Sequence, residues 1–156
     1  MASQGNNTLL TGGILKEGAF VVIVKTEWNA HITNELEAGC LKIFGEHHIQ
    51  YETIVVPGAV EIPFAIKRHW SKAKESLTMP LAYVALGCVI QGDTPHFDYV
   101  CRAVTDGVLQ LNLTLPVPTI FGILTVNNEQ QAMERIGGAH GHKGEEAAIT
   151  ALKMID

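Results

Sequence analysis

The chain has 156 residues, of which 47% are hydrophobic and 17% are charged, and its formal net charge is −5. This length predicts one domain with a substantial core, and the low charged fraction predicts that some apolar surface meets another subunit. Because the net charge is negative and no extended basic run is apparent, we expect neither nucleic acid nor a membrane as a partner.

The chain carries no recognisable targeting or membrane signal. Its first dozen residues are polar and glycine-rich, without the charged and apolar regions of a signal peptide. We interpret residues 1–12 as an N-terminal arm and residues 13–156 as a single domain. The longest apolar run, Leu81–Ile90, is too short to span a bilayer, and three cysteines without a CxxC pair are typical of reduced thiols. These features predict a soluble, cytoplasmic protein.

Short apolar runs alternate along the chain with segments in which apolar residues recur at helical spacing. In chain order, the predicted elements are a strand over Ala19–Val24, a helix with its apolar face from Ile32 to His47, a strand over Tyr51–Val56, a helix from Ile62 to Ala73, a strand over Leu81–Ile90, a helix from Phe97 to Leu111, a strand over Pro118–Val126 and a final helix from Ala148 to Ile155. This alternation predicts a parallel sheet covered by helices. Ligands of such sheets bind beyond the carboxyl ends of the strands, where the strand-to-helix loops gather.

The first two of these loops offer weak signals. Trp28 and Asn29 could stack on a flat ring and bond its edge, although an ordinary turn with a half-buried tryptophan explains them better on this evidence. In the second loop, Gly58 permits close backbone approach, and Glu61 lies near a helix start that has Pro63 in its first turn. Helix capping alone and ligand binding explain this second loop about equally well.

The third loop, which ends in Asp93, Thr94, Pro95 and His96, is the most informative. Asp93 or Thr94 can cap the following helix, and Pro95 suits its first position. The free backbone N–H groups at such a helix start can bind a phosphate. His96 would lie beside this phosphate and could exchange protons near neutral pH. A structural role for the histidine remains an equal alternative.

Further basic candidates follow the fourth strand. We expect Arg135 toward the end of the next helix, which runs back along the sheet, so a neighbouring subunit's site is its more natural target. Lys143 is followed by Gly144, so the glycine-rich segment before it does not match a phosphate-binding P-loop. His140 and His142 form an HxH pair, which is weak evidence for a metal without a third ligand.

These segments together resemble the lumazine synthase family over nearly the whole chain. The resemblance rests on Trp28-Asn29 with Ile32-Thr33, VPGAVEIPFAIK (Val56–Lys67), LGCVIQGDTPHFDYVC (Leu86–Cys101), PVPTIFGILT (Pro116–Thr125) and the terminal EQQAMERIGG and GHKGEEAAITALKMI segments. It implies a flavodoxin-like three-layer α/β/α sandwich with a central parallel sheet. It also implies condensation of 5-amino-6-(D-ribitylamino)uracil with 3,4-dihydroxy-2-butanone 4-phosphate, giving 6,7-dimethyl-8-ribityllumazine, phosphate and water, without a metal or other cofactor.

The resemblance also implies roles for individual residues. His96 would be the proton donor, and Asp93 and Thr94 would bind the phosphate of the ketone. Phe121, Arg135 and Lys143 would come from an adjacent subunit. The pyrimidine and its ribityl chain would contact Trp28, Asn29, Ala59, Val60, Glu61, Cys88, Val89 and Ile90.

The resemblance further implies a homo-oligomer. The family forms rings of five subunits, which in some members build an icosahedral shell. The short glycine-rich turn over Gly137–Gly144 favours the shell, and Thr8-Leu9-Leu10 could add a strand to a neighbour's sheet. Two alternatives stay open at this point: a flavin- or nucleotide-binding module without turnover, and a shell-forming structural protein without activity.

Overall fold

A computed structural model describes residues 18–76 and 78–155. The predicted N-terminal arm, including Thr8-Leu9-Leu10, and the predicted boundary at residue 13 lie outside the described residues. The elements in chain order are β1 (Phe20–Thr26), α1 (Ala30–Glu46), β2 (Gln50–Val56), a 3₁₀ turn (Ala59–Glu61), α2 (Ile62–Ala73), β3 (Ala82–Ile90), α3 (His96–Thr114), β4 (Thr119–Val126), α4 (Glu129–Met133), β5 (Ile136–Gly138), β6 (Gly141–His142) and α5 (Lys143–Met154).

Four parallel strands form the central sheet in the order β2-β1-β3-β4. Their carboxyl ends lie at one edge, where Thr26 pairs with Val56 and Ile90 pairs with Val126. The predicted parallel sheet is confirmed, and each predicted strand agrees with the observed one to within two residues at either end. The loops after β1, β2 and β3 therefore meet at the edge where the sequence predicted a ligand.

Each face of the sheet is covered by two long helices. One core, which includes Leu36, Phe44 and Leu152, packs α1 and α5 against the sheet. The other, which includes Ile66, Trp70 and Val108, packs α2 and α3 against the opposite face. Strand β3 is buried from Ala82 to Cys88, because its apolar side chains alternate between the two cores. The fold is therefore the predicted flavodoxin-like three-layer sandwich.

Close contact between α1 and α5 depends on a glycine. A β-carbon on Gly144 would lie 1.9 Å from the Leu36 carbonyl oxygen, so no other residue fits between the two backbones. The contact fixes the start of α5 and, with it, the directions of the side chains in its first turn.

The connection after β4 differs from the expectation. Its helix, α4, has only five residues, and Arg135 follows it by two positions instead of lying toward the end of a long helix. The argument that helix length carries Arg135 far from the carboxyl edge is therefore wrong. A two-stranded hairpin replaces the missing turns, and Gly137 (φ 106°) and Gly141 (φ 83°) adopt the left-handed backbone that it requires.

Over residues 18–76 and 78–155, no helix is both long enough and apolar enough to cross a membrane.

Candidate active site

The loop after β1 is held in place by side-chain hydrogen bonds. Asn29, just before α1, has a left-handed backbone (φ 57°, ψ 44°), which asparagine tolerates better than most residues. Its Nδ2 donates to the Cys88 carbonyl oxygen at 2.8 Å, which ties this loop to β3. The Thr26 hydroxyl donates to the Trp28 carbonyl at 3.0 Å, and the Thr33 hydroxyl donates to the Thr26 carbonyl at 2.9 Å. These bonds present the Trp28 ring, which is 75% exposed, to solvent.

The loop after β2 is joined to the first loop through the backbone. The Glu27 N–H donates to Val56 at 2.8 Å, and the Trp28 N–H donates to Pro57 at 3.2 Å, so the two loops extend the strand pairing beyond the sheet. Gly58 has an extended backbone (φ −143°), and a β-carbon there would lie 3.0 Å from the Glu61 carboxylate. The group that closely approaches the Gly58 backbone in this chain is therefore the Glu61 carboxylate.

These loops and the loop after β3 enclose a cavity of about 320 Å³, within the usual size of small-molecule sites. Of the predicted site residues, the cavity brings together Trp28, Asn29, Ala59, Cys88, Val89, Ile90, Thr94 and His96. The predicted residues Val60, Glu61 and Asp93 are outside its lining. Phe97 and Val100 also line it, although the sequence indicated only that they lie on the apolar face of a helix.

His96 is the first residue of α3 and is exposed at the mouth of this cavity. The predicted side-chain cap by Asp93 or Thr94 is not formed, because the residue that caps α3 is Pro95; the His96 N–H makes only a long hydrogen bond, 3.4 Å, to Thr94 Oγ1. Pro95 lies one position before the helix instead of at its first position. The Asp98 N–H already donates to the Pro95 carbonyl at 3.0 Å, so not every amide of the first turn is free for a ligand.

Three predicted site residues lie elsewhere in the same chain. Phe121 and Lys143 line a groove of about 760 Å³ between β4, α5 and the end of α3, together with Glu146. Arg135 is bonded to Glu146 through two N–H groups, each at 2.9 Å. The groove and the His96 cavity have no lining residue in common.

The cavity contains a thiol that is not activated. Burial, together with the charge of Glu129, raises the pKa of Cys88 to about 11, so this side chain is neutral at physiological pH. Because a thiolate is the reactive form, Cys88 supplies apolar lining and not a nucleophile.

The HxH pair makes local contacts. His140 pairs with Glu134 at 3.5 Å, and His142 Nδ1 accepts from the Glu145 N–H at 3.4 Å. In the part of the chain that the structure describes, no group of three or more histidine, cysteine, aspartate or glutamate side chains is arranged to hold a metal.

The fold and the cavity together define a class: an α/β protein that binds a small ligand at the carboxyl edge of a parallel sheet. Residues 18–156 match the family model described as 6,7-dimethyl-8-ribityllumazine synthase. Proteins of that name from Parabacteroides distasonis and Bacteroides fragilis are each 47% identical over 137 residues, covering 86% of this chain and 82% and 92% of those relatives. Another from Christiangramia forsetii is 44% identical over 161 residues, covering 99% of this chain and 93% of the relative.

The chain therefore belongs to the 6,7-dimethyl-8-ribityllumazine synthase family, which acts in riboflavin biosynthesis. The resemblance predicted from its motifs is confirmed, as is the prediction that it is a transferase.

Proposed function

We propose that the chain makes 6,7-dimethyl-8-ribityllumazine from 5-amino-6-(D-ribitylamino)uracil and 3,4-dihydroxy-2-butanone 4-phosphate, at a site shared by two copies of the chain. The observation that carries the proposal is the cavity of about 320 Å³, where an exposed tryptophan, an amide and a histidine meet at the carboxyl edge. Trp28 stacks on the pyrimidine, Asn29 lies beside it, and Cys88, Val89 and Ile90 form the wall behind it.

The reaction depends mainly on proton transfers between correctly positioned groups. The substrate amine attacks the ketone carbonyl, and loss of water gives an imine. Elimination of phosphate and closure of the second ring, with loss of another water, complete the lumazine. His96 donates and accepts protons in these steps from the cavity mouth, since an imidazole exchanges protons near neutral pH. The bound geometry supplies the rest of the acceleration by removing the entropy of encounter.

The phosphate of the ketone binds near Thr94 and the amino end of α3, where the helix dipole favours an anion. The negative charge of the phosphate also requires cations, and among residues 18–76 and 78–155 no arginine or lysine lines the His96 cavity. Arg135 and Lys143 supply them from a second copy of the chain, which also brings Phe121 to the pyrimidine.

Two observations support this sharing. The groove that contains Phe121 and Lys143 has no lining residue in common with the His96 cavity. In addition, Trp28, beside the cavity, and Val60 and Phe64, in the 3₁₀ turn and the first turn of α2 that follow β2, expose 75%, 45% and 69% of their surface. Exposed apolar residues in one region are typical of a surface that another subunit covers.

The proposed assembly follows from the shared sites, because every site takes residues from two neighbouring chains. We propose a cytoplasmic ring of five chains, and a shell of such rings, since the hairpin over Ile136–His142 is short. Sedimentation velocity at several protein concentrations tests the shell. A single pentamer-sized species at all concentrations would contradict it.

Incubation with both substrates tests the proposed reaction, through the absorbance and fluorescence of the lumazine. Tight binding of the pyrimidine or of a flavin without product would favour a binding module instead. The shared site is tested by mixing His96→Ala and Arg135→Ala proteins under conditions that exchange subunits. Mixed assemblies recover activity, because some interfaces then contain both intact residues. Demonstrated exchange without recovery would mean that each site belongs to one chain.

A further inference from the structure

The guanidinium of Arg135 is held by two acceptor groups, the Glu146 carboxylate and the His140 carbonyl. Nη1 donates to Glu146 Oε1 and Nη2 donates to Glu146 Oε2, each at 2.9 Å, and Nη1 also donates to the His140 carbonyl oxygen. The Arg135 and Glu146 side chains are 13% and 20% exposed, so the pair is largely shielded from water. A two-bond arginine–carboxylate pair of this kind fixes the plane and direction of the guanidinium.

Within the described part of the chain, a count of donors shows which edge of Arg135 makes no hydrogen bond. A guanidinium has five N–H groups, two on each Nη and one on Nε. Glu146 and His140 use both hydrogens of Nη1 and one of Nη2. The Nε hydrogen and the second Nη2 hydrogen lie along the adjacent edge, where they point in parallel. Two parallel donors match two oxygens of a phosphate.

Glu146 also contacts the second cation. Lys143 Nζ lies 3.7 Å from Glu146 Oε2, and both residues line the same groove. Burial tends to raise the pKa of Glu146, but hydrogen bonds and charges from Arg135 and Lys143 outweigh it and hold the pKa below its ordinary value. Glu146 is therefore a carboxylate at neutral pH, and it keeps two like-charged side chains together.

We propose that Glu146 is a positioning residue that presents the Nε–Nη2 edge of Arg135 to the substrate phosphate. The inference deepens the proposed function and rests on it. Glu146 itself does not touch the substrate in this arrangement. It holds Arg135 in the orientation required for two-point binding. Without the carboxylate, the Arg135 side chain would sample many rotamers, and binding would have to fix one of them at an entropic cost.

Two effects of Glu146 on phosphate binding oppose each other. Its negative charge repels the dianion, which weakens binding, whereas its bonds to Arg135 orient the donors, which strengthens binding. Orientation dominates if a two-point contact is made, because misaligned hydrogen bonds weaken steeply. The neutral, similarly shaped variant Glu146→Gln removes the negative charge and one of the two oxygen acceptors that align Arg135, so the sign of its effect identifies the larger one.

Glu134→Gln is the matched control, because Glu134 is a nearby carboxylate that pairs with the His140 side chain at 3.5 Å. Calorimetric titration of the assembled proteins with inorganic phosphate gives the dissociation constant without turnover. Steady-state kinetics give the KM values for the phosphorylated ketone and the pyrimidine. We expect Glu146→Gln to raise the phosphate dissociation constant and the ketone KM by about tenfold, the size of one lost charge-assisted bond. The pyrimidine KM and the kcat of Glu146→Gln should change less than about twofold. The same constants, the ketone KM and the phosphate dissociation constant of the Glu134→Gln control should also change less than about twofold.

An unchanged or lower phosphate dissociation constant in Glu146→Gln would overturn the proposal, as would an equal rise of both KM values. If Glu146→Gln does not fold, Glu146→Asp provides the same test, because it keeps the charge but shortens the reach to Arg135. In an Arg135→Lys background, which has no fork to orient, only the repulsion remains, so Glu146→Gln should leave phosphate binding unchanged or tighten it, and a weakening there would overturn the proposal. Since phosphate binding is measured without product, a failure of the proposed reaction is visible separately.

Discussion

The position of Asn29 gives a sharp test of how the site loop is held. This residue combines a left-handed backbone with the 2.8 Å bond from its side chain to the Cys88 carbonyl. Asn29→Gly removes the bond but tolerates the backbone conformation. Asn29→Ala removes the same bond and adds the steric cost of a left-handed backbone. The pair of variants therefore separates the two contributions at one position.

The expected magnitudes follow from these losses. One such hydrogen bond contributes about 1 kcal/mol, and the freedom that glycine gives the unfolded chain costs roughly 0.5–1 kcal/mol more. Alanine avoids that entropic cost but loses about 1–2 kcal/mol to the left-handed conformation. We therefore expect a loss of about 1.5–2 kcal/mol for Asn29→Gly and about 2–3 kcal/mol for Asn29→Ala. In a chain of this size, 1 kcal/mol corresponds to a fall in Tm of about 2–4 °C.

Thermal melts followed by circular dichroism measure both variants, at equal subunit concentration because assembly itself raises the Tm. Asn29→Ala should melt lowest and wild type highest. A glycine variant that is less stable than the alanine variant would refute the account of backbone strain. Two variants as stable as wild type would refute the contribution of the hydrogen bond as well.

Three further outcomes are expected. His96→Ala lowers turnover by about 10²-fold while the fold is retained, and an unchanged rate in a folded variant would exclude proton transfer by this residue. Gly144→Ala destabilises the chain in urea titration because its methyl group would lie 1.9 Å from the Leu36 carbonyl oxygen, whereas Gly45→Ala, with nothing within 4 Å, is neutral or stabilising by up to about 1 kcal/mol. Equal effects of the two would contradict the close packing. Because its pKa is raised from 9.0 to about 11, Cys88 should react with iodoacetamide at pH 8 about 10²-fold more slowly in the folded than in the unfolded chain, as measured by peptide mass spectrometry. Equal rates would mean that the thiol is not buried as described.

Much of the fold could be predicted because its signals are local. The apolar run that became β3 and the helical spacing that became α1 and α3 are periodic patterns within about ten to twenty residues. The position of His96 at a helix start also follows from local chemistry, since Asp93, Thr94 and Pro95 precede it. These predictions needed no knowledge of which elements pack together.

The short helix α4 shows where such reasoning fails. Residues 129–135 contain good helix formers, so a longer helix was expected, yet the helix ends at Met133. The hairpin that follows holds the chain through its own backbone bonds, including one from the Lys143 N–H to the Arg135 carbonyl at 2.7 Å. Tertiary context outweighed a helix propensity that is worth only tenths of a kcal/mol per residue.

The sequence by itself thus determined the strands, the long helices and the loops that meet at the carboxyl edge, because periodicity and capping depend on near neighbours. Only the tertiary structure decided which charged groups meet. Arg135 lies between α4 and β5 and Glu146 lies in the first turn of α5, 11 positions further on, where Gly144 lets α5 pack closely against α1. The tertiary structure likewise decided that Phe121 and Lys143 line a groove separate from the His96 cavity. Such pairings follow from packing between distant segments, which no local pattern encodes.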